Sequence, residues 1–305
     1  MRFPRSAGIL LHPTSLPGGY GIGELGPEAF AFIDQLERSG QGLWQILPLG
    51  PTGYGDSPYA CFSALAGNPM LIDLNQLLEA GDLTAEDLAE APDFPEERVD
   101  FGPVITFKTE MLQRAAQAFR ANATGERRQA FDQFCRENDD WLDDFALFMA
   151  LKNAHGGGVW NTWEAGLVRR ERLDDAIFAQ RYYQFQFFKQ WEAVKAYAND
   201  KGILIVGDIP IFVAYDSVDV WAHPDLFFLD EDLAPIKVAG VPPDYFSATG
   251  QLWGNPIYNW DHIAEQDYGW WLRRFEQVFT TVDIARLDHF RGFAAYWAIP
   301  AGEET

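Results

Sequence analysis

One run of apolar residues constrains the fold more than any other part of the sequence. Residues 203–206 are Ile, Leu, Ile and Val, with Gly202 before them and Gly207 and Asp208 after them. Four branched apolar residues in a row are typical of a strand that is buried on both faces, as in a parallel sheet. Parallel strands require long crossover connections, which are usually helices. We therefore expect an α/β fold.

Three other segments fit strands of the same sheet, at 8–11, 43–47 and 283–290. Apolar residues at helical spacing predict helices at 27–38, 107–121, 127–149, 176–198 and 268–279. The alternation of strand and helix indicates parallel strands. Four strands cannot close an eight-stranded barrel, so either the sheet is open or the chain is part of something longer.

Two long segments interrupt this alternation. Residues 75–199, after the second strand, are polar and mainly helical, and residues 211–262, after the third strand, are rich in loop signals. Loops as long as the second segment are usually functional in a compact domain. We expect residues 1–305 to form one domain that carries both segments as insertions.

The net charge of the chain argues against some classes of binding partner. The formal net charge is −22, from 45 acidic and 23 basic residues. Such a surface repels phosphate backbones and anionic lipid, so neither nucleic acid nor a membrane is expected as a partner. A neutral ligand is compatible with it, and the 15% aromatic content suits a sugar as well as a core.

Several kinds of site are not expected. The histidines and the two cysteines, Cys61 and Cys135, show no metal-ligand spacing. No phosphate-binding glycine loop supports a nucleotide cofactor. So few cysteines favour a reducing compartment, so we expect a cytoplasmic protein. No apolar stretch approaches the roughly 20 residues that span a bilayer.

The segment 283–290 contains the sharpest candidate for catalysis. Residues two apart in a strand share a face, so Arg286 and Asp288 point the same way. A neighbouring arginine keeps a carboxylate ionised, as a carboxylate nucleophile requires at neutral pH. From the local sequence alone, a structural ion pair is the favoured alternative.

Three further residues are candidates for ligand binding. Asp208 follows a predicted strand, where a carboxylate could bind sugar hydroxyls or could cap a turn. Tyr59 and Trp253 lie in long loops rich in glycine and proline. Each is either a sugar platform or an aromatic ring packed against its own domain.

Several strings resemble the amylomaltase (disproportionating enzyme) family of 4-alpha-glucanotransferases, which is glycoside hydrolase family 77. They span nearly the whole chain, in the order of the family: 51–59 (PTGYGDSPY), 207–213 (GDIPIFV), 241–247 (VPPDYFS), 250–256 (GQLWGNP) and 285–292 (ARLDHFRG). The resemblance implies a (β/α)8 barrel, of which this chain holds about the first four strands as the N-terminal part of one catalytic domain. It also implies transfer of a segment of an alpha-1,4-glucan to the 4-hydroxyl of an acceptor glucan or glucose, with no cofactor.

The resemblance also implies roles for individual residues. Asp288 matches the nucleophile, which forms a covalent glycosyl-enzyme in a retaining double displacement, and Arg286 matches the arginine that orients and ionises it. Residues matching the substrate-binding positions are Ser57, Tyr59, Asp208, Asp244, Phe246 and Trp253. Two of these, Asp244 and Phe246, fall on the loop that covers the family's active-site cleft.

One required group is missing from the pattern. Retaining glycosidases need a second carboxyl group as general acid, about 5–5.5 Å from the nucleophile. In the resembled family this glutamate lies on the strand after the nucleophile strand. Only Glu303 and Glu304 follow Asp288 among acidic residues, without a strand pattern, and neither is assigned. We therefore expect the chain to be truncated before the general acid and to turn over little by itself.

Three other functions remain as alternatives. An amylase-type hydrolase would share the nucleophile strand and would release products without transfer. A non-catalytic glucan-binding protein would bind without a covalent intermediate. A nucleotide-dependent sugar transferase is the least supported, since no phosphate-binding loop is present.

Overall fold

The computed structural model describes residues 4–163, 170–243, 245 and 247–303. Its strands are β1 Gly8–Leu10, β2 Leu43–Gln45, β3 Leu204–Ile209, β4 Lys237–Val241, β5 Gln251–Pro256, β6 Ile284–Leu287 and β7 Trp297–Pro300. Its α-helices are α1 Pro27–Arg38, α2 Leu74–Glu79, α3 Ala85–Leu88, α4 Phe101–Asn122, α5 Gly125–Glu137, α6 Asp139–Ala154, α7 Arg170–Asp200, α8 Val218–Ala222, α9 Trp260–Glu265 and α10 Gly269–Thr281.

The four strands predicted from the sequence form one parallel sheet. Its order is β1-β2-β3-β6, and every neighbouring pair is parallel. The prediction of an α/β fold with a parallel sheet is therefore confirmed. Because β6 lies beside β3, Asp208 is directly opposite Arg286 in the ladder. The fold thus places two of the candidate residues on neighbouring strand ends.

Helices cover one face of this sheet. Trp44 on β2 and Ile205 on β3 are fully buried on that face, and the Trp44 ring lies 6.3 Å from that of Trp191 on α7. The prediction that β3 is buried on both faces is wrong. Leu10 is 55% exposed and Leu204 is 42% exposed on the opposite face, because no described helix packs there.

The helical segment differs from the sequence prediction at one point. A single helix was expected at 127–149, but the chain breaks at Asn138 into α5 and α6. The amide of Asn138 donates to the Phe134 carbonyl, 2.9 Å away, and accepts from the Trp141 indole N–H at 3.1 Å. These bonds offer the backbone an alternative to a continuous helix, as asparagine commonly does at helix ends.

The loop-rich segment 211–262 contains two strands that the sequence analysis did not predict. β4 pairs with β5 and with β7 in an antiparallel sheet of order β5-β4-β7. The ladder between β4 and β5 shifts register between Val238 and Gly240, and Gly254 in β5 has a φ of +77°. These glycine-rich irregularities resemble loop signals in the sequence and explain why the strands were missed.

Candidate functional site

The candidate residues meet at the C-terminal ends of β3 and β6. Arg286 donates from Nε to Asp208 Oδ1 over 3.0 Å and from Nη2 to Asp208 Oδ2 over 2.7 Å. The same Nη2 atom lies 3.0 Å from Oδ1 of Asp288. One guanidinium therefore bridges two carboxylates, with the planar two-point geometry that arginine alone provides.

The two carboxylates differ in their access to solvent. The side chain of Asp208 has no exposed surface, whereas that of Asp288 is 40% exposed. The backbone N–H of Asp288 donates to the Ile209 carbonyl at 3.0 Å, which extends the β3–β6 ladder by one residue. The chain then turns at His289, whose φ is +48°. Asp208 is thus an anchored carboxylate, and Asp288 is one that a ligand can reach.

Arg286 makes more contacts with Asp208 than with Asp288, which the sequence did not predict. The sequence pairs Arg286 with Asp288, two residues away on the same strand. Among the described residues, the guanidinium makes two hydrogen bonds to Asp208 and one close contact with Asp288. The bond to Asp208 raises the pKa of Arg286 further above its ordinary value, so the guanidinium stays charged.

Tyr59 joins the cluster from a separate loop. Its hydroxyl donates to Asp208 Oδ2 at 2.7 Å, while its ring is 37% exposed. Burial of the hydroxyl and this bond to Asp208 raise the pKa of Tyr59 to about 12, so the hydroxyl remains a proton donor at neutral pH. Ser57 supports the loop, because its Oγ accepts from the Tyr59 backbone N–H at 3.3 Å.

Trp253 lies beside the turn that follows Asp288. Its ring packs edge-on against His289, with ring centroids 5.2 Å apart, and against Phe212 at 6.4 Å. Trp253 is 39% exposed, so part of the indole is free to contact a ligand. His289 and Phe212 were not predicted as site residues, although both lie inside the strings that contain Asp288 and Asp208.

Two predicted binding residues, Asp244 and Phe246, lie outside the described residues. Their placement on an active-site lid therefore stays a prediction.

The residues brought together favour binding of a neutral polyhydroxyl ligand. The site combines a reachable carboxylate, a charged guanidinium, a tyrosine hydroxyl and partly exposed aromatic rings. Sugar rings pack apolar C–H faces on aromatic rings, and sugar hydroxyls need carboxylate and hydroxyl partners. Within the part of the chain that the structure describes, no cluster of three or more histidine, cysteine or acidic residues is arranged to bind a metal ion. Within the same residues, no helix is both long and apolar enough to cross a membrane.

The family comparison agrees with the resemblance noted in the sequence. A sequence model of the family described as 4-alpha-glucanotransferase matches residues 11–305. The 4-alpha-glucanotransferase of Synechocystis is 50% identical over 99% of this chain and 62% of its own length. That of Thermus thermophilus is 52% identical over 100% of this chain and 62% of its own length. The chain therefore spans about 62% of the length of these relatives.

Solved structures give the same result. The amylomaltase of Streptococcus agalactiae, in complex with acarbose, superposes with a TM-score of 0.92 at 43% identity. The match covers 99% of this chain and 63% of that one. The amylomaltase of Corynebacterium glutamicum has a TM-score of 0.83 at 20% identity, over 98% of this chain and 42% of its own. At that identity the second match supports the fold alone.

Proposed function

The chain belongs to glycoside hydrolase family 77, the 4-alpha-glucanotransferases, and on that premise we propose that it supplies the nucleophile half of a retaining glucan transfer site. The observation that carries the proposal is the bridged pair of carboxylates, in which Arg286 fixes buried Asp208 and leaves Asp288 open to solvent. The proposed ligands are maltooligosaccharides or other alpha-1,4-glucans, as both donor and acceptor.

In the first step of this proposal, Asp288 attacks the anomeric carbon of a donor glucan. A bond forms between an Asp288 carboxylate oxygen and C1, and the bond from C1 to the 4-oxygen of the leaving glucan breaks. The leaving oxygen takes a proton from a general acid. Arg286 lies 3.0 Å from the Asp288 carboxylate, so it orients this nucleophile.

In the second step, the 4-hydroxyl of an acceptor glucan attacks C1 and releases the Asp288 carboxylate. The hydroxyl proton passes to the conjugate base of the general acid, so the two steps together consume no water. Partial exclusion of water from the intermediate favours transfer over hydrolysis. Trp253 and the 241–247 segment, which includes Asp244 and Phe246, are proposed to provide that exclusion.

Binding of the donor is assigned to residues around the nucleophile. Asp208, whose side chain is enclosed, accepts from the Tyr59 hydroxyl and fixes it, and the Tyr59 hydroxyl oxygen is proposed to accept from a sugar hydroxyl. The exposed ring faces of Tyr59 and Trp253 offer apolar contact, and Ser57 holds the Tyr59 backbone.

The general acid is proposed to come from sequence outside these 305 residues. None of the described acidic residues is assigned to the role, and the relatives are longer than this chain. The four-stranded sheet is accordingly proposed to be half of a (β/α)8 barrel. Its exposed face, with Leu10 and Leu204, would then line the barrel interior.

Product analysis tests this function directly. The intact protein, meaning the chain extended past residue 305 to include the proposed general acid, is incubated with maltotriose and the products are separated by length, with Asp288→Asn as the control. Glucose together with a ladder of longer maltooligosaccharides is the expected result. Glucose and maltose with no longer products would instead indicate an amylase-type hydrolase. Glucan binding without turnover would indicate a non-catalytic binding protein.

A further inference from the structure

The loop that carries Tyr59 is closed at its base by main-chain bonds. Thr52 and Cys61 form an isolated antiparallel bridge, and the Gly53 N–H donates to the Ala60 carbonyl at 2.7 Å. This bonding ties residues 53–60 into a single unit. The position of Tyr59 therefore depends on where the chain after Cys61 is held.

Helix α8 holds that chain at two successive points. The backbone N–H of Val218 donates to the Phe62 carbonyl at 2.9 Å. The carboxylate of Asp219 accepts from the backbone N–H of Ala64 at 2.8 Å. A main-chain hydrogen bond from Val218 and a side-chain hydrogen bond to Asp219 thus hold the segment that follows the loop.

Asp219 is buried beneath the candidate site. It is 3% exposed and lines a cavity of about 100 Å³, together with Tyr59, Asp208, Cys61 and Arg274. Burial raises the pKa of Asp219 to about 6, and Arg274 acts in the opposite direction. A carboxylate that accepts from a backbone N–H makes a stronger hydrogen bond than a neutral acceptor does.

Arg274 holds a second chain segment that lines the same cavity. It is 4% exposed and donates to the carbonyls of Pro210 and Ile211, at 2.6 and 3.3 Å. These residues follow directly after the β3 segment that carries Asp208. Asp219 and Arg274 thus each hold one of two chain segments. One segment carries Tyr59 and the other follows Asp208, and the two are joined by the hydrogen bond between these residues.

We propose that Asp219 is a positioning residue for glucan binding, which acts by holding the 60–66 segment so that Tyr59 reaches Asp208. Asp219 lies below the site, and its proposed role requires no contact with substrate or with the reacting atoms. The inference rests on the proposed function for its effect on glucan, but its effect on the loop can be measured without glucan.

The test compares three variants of the intact protein. Asp219→Ala removes the acceptor, whereas Asp219→Asn keeps a side-chain oxygen that can accept from Ala64. Asp82→Ala is a matched control, because Asp82 is also a buried carboxylate (3% exposed). It binds Arg127 and Tyr182 in the helical segment.

Amide hydrogen exchange of residues 60–66 gives the first readout. Asp219→Ala is expected to speed exchange of the Ala64 amide by about tenfold or more, since a bond to a charged group is lost. Asp219→Asn should restore most of the protection, and Asp82→Ala should leave this segment unchanged.

Kinetics with maltotriose give the second readout. Asp219→Ala is expected to raise KM by about tenfold with a smaller change in kcat, while Asp82→Ala lowers the unfolding temperature without changing KM. Unchanged exchange at residues 60–66 in Asp219→Ala, or an equal rise of KM in Asp82→Ala, would overturn the proposal. Absence of transfer in the wild type, with the exchange effects intact, would instead count against the proposed function alone.

Discussion

Two clusters of oppositely charged side chains in this protein contain similar groups but differ in burial. In the helical part, Lys108 donates to Glu24 and, at 2.7 Å, to the Ile72 carbonyl. The side chains of Lys108 and Glu24 are 0% and 7% exposed. At the ends of β3 and β6, Arg286 joins Asp208 to Asp288, and both Arg286 and Asp288 keep more than a third of their side-chain surface exposed.

The comparison shows how a structural ion pair differs from a candidate site. Burial raises the pKa of Glu24 and lowers that of Lys108, and the charge of each partner opposes the shift of the other. Every contact of that pair faces inward. The second cluster has one carboxylate anchored and one facing solvent, and the exposed carboxylate is the group available for chemistry.

The largest expected effect is the loss of turnover in Asp288→Asn. An amide is a much weaker nucleophile than a carboxylate, so kcat for glucan transfer should fall by at least about 10⁴-fold. The free energy of unfolding should change little, because Asp288 is partly exposed and makes one ionic contact. A variant that retains more than a few per cent of transfer activity would remove Asp288 from the nucleophile role.

Lys108→Met is expected to lower the stability of the protein and to leave its activity unchanged. Removal of the ammonium leaves the Glu24 carboxyl buried without its partner, which typically costs about 3–5 kcal/mol of unfolding free energy. Urea unfolding measures that loss. The double variant Glu24→Gln with Lys108→Met should recover much of it, and KM of the folded protein should not change. A rise in KM would mean that the two clusters are coupled.

A smaller effect on activity is expected for Arg286→Lys. Lysine keeps the charge but cannot reproduce the two-point contact with Asp208, so kcat/KM should fall by about 100-fold. Arg273→Lys is the matched control, because Arg273 makes a two-bond contact with Asp140 away from the cluster. Equal activity in Arg286→Lys and in the wild type would show that charge alone suffices at this position.

The smallest effect is expected for Tyr59→Phe. The variant keeps the ring and removes the hydroxyl that donates to Asp208, which should weaken glucan binding by roughly tenfold. Tyr215→Phe removes a hydroxyl that donates to the Leu233 carbonyl at 2.7 Å and serves as the control. Titration of tryptophan fluorescence with maltotriose compares the two. Indistinguishable affinities would place the Tyr59 hydroxyl outside the binding site.

The parallel sheet could be predicted because its strands are marked by local apolar runs. The strands β4 and β5 could not, since their glycines resemble loop signals and their ladder shifts register between Val238 and Gly240. The exposure of Leu204 was also missed. Burial of a strand face depends on which elements cover it, and the strand's own composition does not reveal this.

The sequence named candidate residues for the site but not most of the contacts between them. Arg286 and Asp288 were paired because they share a strand face, and the structure adds Asp208 between Arg286 and Tyr59. That contact follows from the neighbouring positions of β3 and β6, which a single sequence does not specify. Asp219 was not singled out at all, because its significance lies in a bond to Ala64 across 155 residues.

The central claim is that Asp288 is the nucleophile, and an activated donor tests it most directly. With α-maltosyl fluoride the leaving fluoride has little need of a general acid, so the step depends mainly on the nucleophile. The protein is mixed with this donor, quenched in acid and digested, and its peptides are weighed by mass spectrometry. The account predicts a maltosyl group on the peptide that carries Asp288, and none in Asp288→Asn. Fluoride release without that adduct, or an adduct on another residue, would contradict it.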